Sequence, residues 1–322
     1  MSKPVLSFCI PTFNMILYIP ELLESIESEV ISFPDQLFEI CISDNCSTDN
    51  TLFFFRNYVS PFENLSIVYF RSESNLGADR NFLKAVSISS GKYCWLLGAD
   101  DRLKKGALTL LLSKVLNRNC DIFLGDRENI DLYGNSISFE FWSSNQQIIS
   151  KNELPRYIDS IKSIGGLFSY LSCILFKRES WDLSIQSLDF DRFLCSNYIH
   201  TLILLNIIKK DKAMHYFHNT IVQARRGNDS FLDKGYLNRI KIDYGYIDIV
   251  YYLFPEDIVL SKSIKSLLKR ERNIFHFLKS ACLSGKSETY EFMKQNSLLT
   301  RYIIKVFPVF FIRILLKIYH KG

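Results

Sequence analysis

Two adjacent carboxylates, Asp100 and Asp101, follow the apolar run Tyr93 to Leu97 through Gly98 and Ala99. A buried strand carries no charge unless something offsets its desolvation. In open α/β sheets, ligands sit in the crevice beyond the C-terminal ends of the strands. The pair therefore points to a bound cation, to a cationic or hydroxylated ligand, or to a solvated turn that ends a strand. Three more polar tips follow apolar runs in the same way. Pro11, Thr12 and Asn14 come after Val5 to Ile10, Asp44 and Asn45 after Phe38 to Ser43, and Asn75 after Leu65 to Arg71.

Between these tips the spacing predicts helices. Pro20 suits a first helical turn, with Leu22, Leu23 and Ile26 as the buried side. Ser47, Thr48 and Asp49 offer N-cap groups to a helix through about Tyr58. A third helix runs from about Asp79 to Ser90, stopped by Gly91. The expected fold class is α/β, a mostly parallel central sheet flanked by helices. Thr12, Asp44, Asn75 and Asp100 then share one edge of it. Pro11 and the polar residues after it are expected to end the first strand.

Further on, Lys105 to Leu116 reads as a helix and Cys120 to Leu124 as a strand. Strands are expected around Ser136 to Trp142, and the apolar stretch after Gly165 and Gly166 suits a strand or a buried helix. Thr201 to Ile208 reads as helical, Ala213 to Ala224 as a strand pair, and Arg225 to Asp229 as a loop. From Tyr236 the pattern turns helical, which sets a soft boundary near residue 232 between a domain over 1–232 and a C-terminal helical region over 233–322. Thr300 to Gly322 interleaves apolar residues with Arg301, Lys305, Arg313, Lys317 and Lys321 and contains no acid. That mixture suits a helix lying at an anionic membrane surface or one packing on the protein's own core.

Composition narrows the function classes. A net charge of +5 in 322 residues does not imply a nucleic-acid partner. The eight cysteines show no paired CxxC spacing, and Cys9, Cys41 and Cys94 lie in apolar runs, which suits a reducing compartment. Met1 leads directly into a strand-like run, and no stretch of 18 apolar residues occurs, so neither a signal peptide nor an ordinary spanning helix is expected.

Four segments in order, CIPTFN from Cys9, SDNCSTDNT from Ser43, NLGADRNFLKAVSISSGKY from Asn75 and LLGADD from Leu96, resemble the successive motifs of the family 2 glycosyltransferases. The resemblance covers about the first 105 residues. It is most similar to bacterial O-antigen enzymes of the abequosyltransferase type, which transfer 3,6-dideoxyhexoses. It implies the A-type nucleotide-sugar-binding fold and an inverting, metal-dependent transfer from a CDP-, UDP- or GDP-sugar to a lipid-linked oligosaccharide. The expected location is the cytoplasmic face of a bacterial inner membrane, peripherally bound.

By the same resemblance Asp101 holds a divalent metal, Mg2+ or Mn2+, and Asp100 meets the ribose or the metal's water shell. Asp44 reads the base edge, and its carboxylate accepts equally from uracil or cytosine. Pro11, Thr12 and Asn14 line the base pocket, Asn75 and Gly77 shape the turn beneath the nucleotide, and Arg80 and Arg226 meet the diphosphate. The family often carries a further Asp two positions before Asp100, where this chain has Gly98. An inverting transferase also needs a base for the acceptor hydroxyl. Where the family supplies an acid before a helix, this chain has His200, kept neutral by the helix start, with Asp191 and Asp189 in reserve. Competing readings are a hexosyltransferase of capsule or exopolysaccharide synthesis, a nucleotidyltransferase and a non-catalytic sugar-binding protein. A nucleotidyltransferase would need a Gly-rich phosphate loop that Pro11 to Asn14 is not.

Overall fold

The computed structural model describes residues 3–117, 120–228 and 235–293, together with Ile304, Lys305, Val309 and Ile312. The first half alternates β1 (Leu6–Thr12), α1 (Ile19–Val30), β2 (Phe38–Asp44), α2 (Thr51–Asn57), β3 (Leu65–Arg71), α3 (Ala78–Ser87) and β4 (Tyr93–Leu96). Then come β5 (Arg102–Leu103), α4 (Ala107–Asn117), β6 (Ile122–Ile130), β7 (Ser136–Glu140), β8 (Gln147–Ile149), α5 (Leu154–Ser160), β9 (Ile174–Lys177), α6 (Arg178–Gln186), α7 (Ile199–Lys209) and β10 (Met214–Arg225). Then follow α8 (Tyr236–Leu253), α9 (Ile258–Glu271), α10 (Ile274–Leu283) and α11 (Lys286–Phe292).

The ten strands among the described residues form one sheet in the order β3-β2-β1-β4-β9-β6-β10-β5, with β7 on β6 and β8 on β10. Strands β1 to β4 pair in parallel, as the strand–helix alternation requires. Beyond β4 the sheet is mixed, because β9 runs antiparallel between β4 and β6. Two reversals restore direction, so β4, β6 and β10 point the same way and end on the same edge.

Three local expectations are corrected. β1 runs through Pro11 and Thr12, with Pro11 opposite Ser43. Its pairing with β4 ends at Cys9 and Leu96, so the missing proline N–H deserts no partner. The stretch Ala213 to Ala224 is one strand, not a pair, bent by register shifts between Tyr216 and Val222. Arg225 is the last residue of that strand rather than the start of a loop.

The main core joins β1, β4, β6 and β9 to α8 and α9 through Tyr246, Val250, Ile264 and Leu267. A smaller cluster holds Ile240, Phe277 and Leu278 with Ile304 and Ile312. The expected interfacial helix over 300–322 otherwise lies outside the described residues. Among the described residues no helix is long and apolar enough to cross a membrane.

Candidate active site

The in-register pairing of Thr12 with Asp44, and of Asp44 with Arg71, brings the first three tips side by side. Side chains then tie each loop to the next. Asn14, at φ +56°, accepts from the Thr48 N–H at 2.8 Å and donates its own N–H to Ser47 Oγ at 2.9 Å. Asn45 donates to Asn75 Oδ1 at 2.9 Å and accepts from the Leu76 N–H at 2.8 Å. Asn75 Oδ1 also accepts from the Gly77 N–H at 2.9 Å, and Gly77 sits at φ +84°, where a side chain would be strained. Asp44 is fully buried and accepts from the Ser47 N–H at 2.8 Å and the Tyr69 hydroxyl at 2.7 Å, with Arg71 Nε 3.5 Å away. It braces the rim. Thr12 Oγ1 is buried without a partner among the described residues. Arg80 is exposed, while the preceding Asp79 accepts from the N–H groups of Asn197 and Ile199 at 2.9 and 3.1 Å. That contact joins α3 to the loop entering α7.

Asp100 and Asp101 are where charge is concentrated. Tyr170 donates to both oxygens of Asp101 at 2.8 Å, Ser172 donates its hydroxyl, and the Arg225 N–H donates at 3.0 Å. Asn228 Nδ2 donates to Asp100 Oδ2 at 3.1 Å, and Arg225 Nε donates to the Asp100 carbonyl at 2.9 Å. The two carboxylates lean over the same α-carbon. A Cβ placed on Gly98 would lie 3.0 Å from Asp101 Oδ2 and 3.1 Å from Asp100 Oδ1. Gly98 thus leaves room for the pair as it stands.

Burial raises the pKa of both aspartates. For Asp101, burial and then the neighbouring Asp100 charge push it up to about 7, against the hydrogen bonds from Ser172, Arg225 and Tyr170. Two crowded, desolvated carboxylates gain from a divalent cation. Among the described residues no cluster of three or more His, Cys, Asp or Glu could hold one. A two-carboxylate anchor suits an ion that takes its remaining ligands from water and a diphosphate.

His200 is placed differently from the expectation. It does open α7, but it is 1% exposed, its Nε2 lies 2.8 Å from the Phe168 carbonyl, and its ring packs edge-on against Phe82 and Tyr198. Burial lowers its pKa to about 4, outweighing the Phe168 carbonyl. Burial, not the helix start, is what disfavours its protonation, and the ring is closed off from solvent. Asp191 is exposed at the start of the turn Asp191–Phe193, whose Phe193 is buried. Arg226 turns to Glu140, 3.4 Å away, and its neighbour Arg225 meets the aspartates. Tyr170, Ser172, Arg225 and Asn228 were not singled out from sequence, and only the position of Arg225 beside Arg226 hinted at one of them.

The family profile described as Glycosyl transferase family 2 matches residues 7–180. Abequosyltransferase RfbV of Salmonella typhimurium is 36% identical over 294 residues, covering 88% of this chain and 86% of that protein. The putative teichuronic acid biosynthesis glycosyltransferase TuaG of Bacillus subtilis is 32% identical over 118 residues, 37% of this chain and 44% of its own length. Among solved structures, S. aureus TarS 1-349 in complex with UDP-GlcNAc superposes with a TM-score of 0.65 at 15% identity, over 100% of this chain and 92% of that one. The mannosyltransferase PcManGT from Pyrobaculum calidifontis, in complex with GDP-Man and Mn2+, does so with a TM-score of 0.58 at 13% identity, over 95% and 79%.

Proposed function

The chain belongs to the family 2 glycosyltransferases, and from that premise we propose that it moves a 3,6-dideoxyhexose such as abequose from a nucleoside-diphosphate donor to a lipid-linked oligosaccharide, with inversion, during assembly of a bacterial O-antigen. The similarity to an abequosyltransferase along most of both chains supports the choice of sugar. The crowded Asp100 and Asp101 pair carries the chemistry. In this reading the acceptor is met at the cytoplasmic face of the inner membrane.

Breaking the bond between the anomeric carbon and the diphosphate leaves negative charge on the leaving group. A divalent cation, Mg2+ or Mn2+, held by Asp101 with Asp100 would supply Lewis-acid stabilisation of that charge. Tyr170, Ser172 and the Arg225 N–H fix the Asp101 carboxylate in place for it. In this reading Pro11, Thr12 and Asn14 line the pocket for the base, where the buried Thr12 hydroxyl has no partner among the described residues. The tied loop at Asn75 and Gly77 shapes the floor, and the exposed Arg80 is placed to meet phosphate. Asp44 acts through the loop it braces. For the acceptor proton the exposed carboxylate of Asp191 is favoured over the enclosed His200.

The test is a melting-temperature screen with CDP, UDP, GDP and dTDP, each with Mn2+ or Mg2+, followed by donor hydrolysis. A CDP-selective rise, with hydrolysis of CDP-abequose lost in Asp101→Ala, is the expected result. Selectivity for UDP or GDP would move the assignment to a hexosyltransferase of capsule or exopolysaccharide synthesis. If no nucleotide raises the melting temperature and no nucleotide sugar is turned over, the catalytic reading fails. Asp191→Asn is expected to reduce transfer while leaving the nucleotide response intact.

A further inference from the structure

Four consecutive polar residues, Asp126, Arg127, Glu128 and Asn129, are buried in the C-terminal half of β6. Burying them is costly unless each is matched. Asp126 accepts from the Trp142 N–H and the Tyr216 hydroxyl at 2.9 Å, while Glu128 pairs with Lys104 and accepts from Gln223 at 2.9 Å. Arg127 and Asn129 point the other way and meet β7. Arg127 donates to Glu140 Oε2 through Nε and Nη2 at 3.1 and 2.6 Å, and Asn129 Nδ2 donates to Ser138 Oγ and Glu140 Oε1 at 2.9 and 2.8 Å. Asn129 Oδ1 is left buried with no partner among the described residues.

This face opens to solvent. The Glu140 side chain is 32% exposed and that of Arg226 52%, and Ser138 is exposed. It also adjoins the carboxylate pair. The Arg127 guanidinium lies 4.1 Å from the centroid of the Tyr170 ring, whose hydroxyl is bonded to Asp101. One tyrosine therefore separates the two sites. A hydroxyl attacking an anomeric carbon must approach to about 3–3.5 Å, so a sugar site beside a diphosphate site is where an acceptor ring belongs.

Resting on the transferase reading above, we infer that Arg127, Asn129, Ser138, Glu140 and Arg226 form the subsite that binds a neutral sugar ring of the acceptor through its hydroxyls. A sugar hydroxyl both donates and accepts, and this face presents the Glu140 carboxylate, the Ser138 hydroxyl and the Arg226 guanidinium, with Glu140 held from beneath by the buried Arg127 and Asn129. A phosphate suits it poorly, because both arginines already face Glu140, whose charge repels an anion.

Saturation-transfer NMR on the full chain tests this, with methyl α-D-mannopyranoside, methyl α-D-galactopyranoside and methyl α-L-rhamnopyranoside at millimolar concentration. The nucleotide melting screen runs in parallel. Transfer to at least one glycoside is expected in the wild type, weakened about tenfold in Glu140→Gln by loss of a charged acceptor, with the nucleotide response unchanged. Arg226→Ala, on the exposed rim, is expected to weaken it less and covers the case in which Glu140→Gln misfolds. Equal transfer in all three proteins, no transfer in the wild type, or displacement of the glycoside by inorganic phosphate would each overturn the assignment. A glycoside response without any nucleotide response would sink the transferase reading and leave the sugar site standing.

Discussion

The half of the sheet built from β3, β2, β1 and β4 and the half built from β9, β6, β10 and β5 handle polar groups in opposite ways. In the first half, strands β1, β2 and β4 are buried, and most of the polar groups near the ligand edge lie at or just past the strand ends. There Asn14, Asn45 and Asn75 satisfy backbone groups of the next loop, giving a braced rim. In the second half, and at Asp101 in the loop that leads into it from β4, charge is buried. Burial lifts Asp101 to about 7 and Asp126 to about 6. The first half is a frame whose polar groups are largely matched, and the second holds groups that a ligand can relieve. Substitutions at the bracing residues of the first half should therefore act on stability, and those around Asp101 on chemistry.

Asp101→Asn should give the largest effect, a loss of at least about 10²–10³-fold in donor turnover, read in a hydrolysis assay with saturating cation. The ligand-free protein should respond in the opposite sense. A carboxyl whose folded pKa is raised keeps its proton in the fold after the unfolded chain has lost it. Stability from that source falls as pH rises from about 4 to about 7, so the variant should lose less stability than the wild type across that interval. A variant that is inactive and also less stable at pH 8 would show that Asp101 is part of the frame.

Arg225→Lys comes next. The Arg225 guanidinium donates to the Asp100, Asp131 and Leu132 carbonyls and pairs with Glu21. A lysine cannot reproduce that fork. Because the backbone N–H to Asp101 is retained, turnover should fall by about tenfold rather than vanish. Unchanged turnover with a lowered melting temperature would place Arg225 with the frame.

A smaller effect is expected from Asp126→Asn. Burial raises Asp126, against the bonds from Trp142 and Tyr216 and the charge of His218. Wild-type stability should drop between about pH 4 and pH 6 from this group, and the asparagine should flatten that drop in urea midpoints measured at pH 4, 5, 6 and 7. An identical pH profile for both proteins would remove Asp126 from the set of strained charges.

The two halves also differ in how far they could be read from the chain. CIPTFN, SDNCSTDNT and LLGADD each set a polar tip after an apolar run, and the parallel pairing follows from the helices between them. In β6 the residues GDREN carry neither alternation nor an apolar run, so the strand's buried charges had no periodic signal. Tyr170 and Ser172 reach Asp101 at and within a 3-10 turn over Leu171–Cys173, which has no sequence mark of its own. His200 had the right residue type and helix start, but its enclosure by Phe82, Phe168 and Tyr198 depends on packing between distant segments.

The smallest effect is expected in the frame itself, from Tyr69→Phe. The phenol packs on Phe55 with ring centroids 4.9 Å apart and donates to Asp44 Oδ2 at 2.7 Å. Phenylalanine keeps the ring contact and removes the donor, and Asp44 retains the Ser47 N–H and the nearby Arg71. The cost should be about 1 kcal/mol of stability, seen as a melting temperature lower by a few degrees, with the nucleotide response and turnover changed by no more than about twofold. The reverse outcome, unchanged melting and a large loss of nucleotide response, would mean that the Asp44 carboxylate must be held for the base itself. Asp44 would then read the nucleotide directly and join the binding residues of the first half instead of its frame.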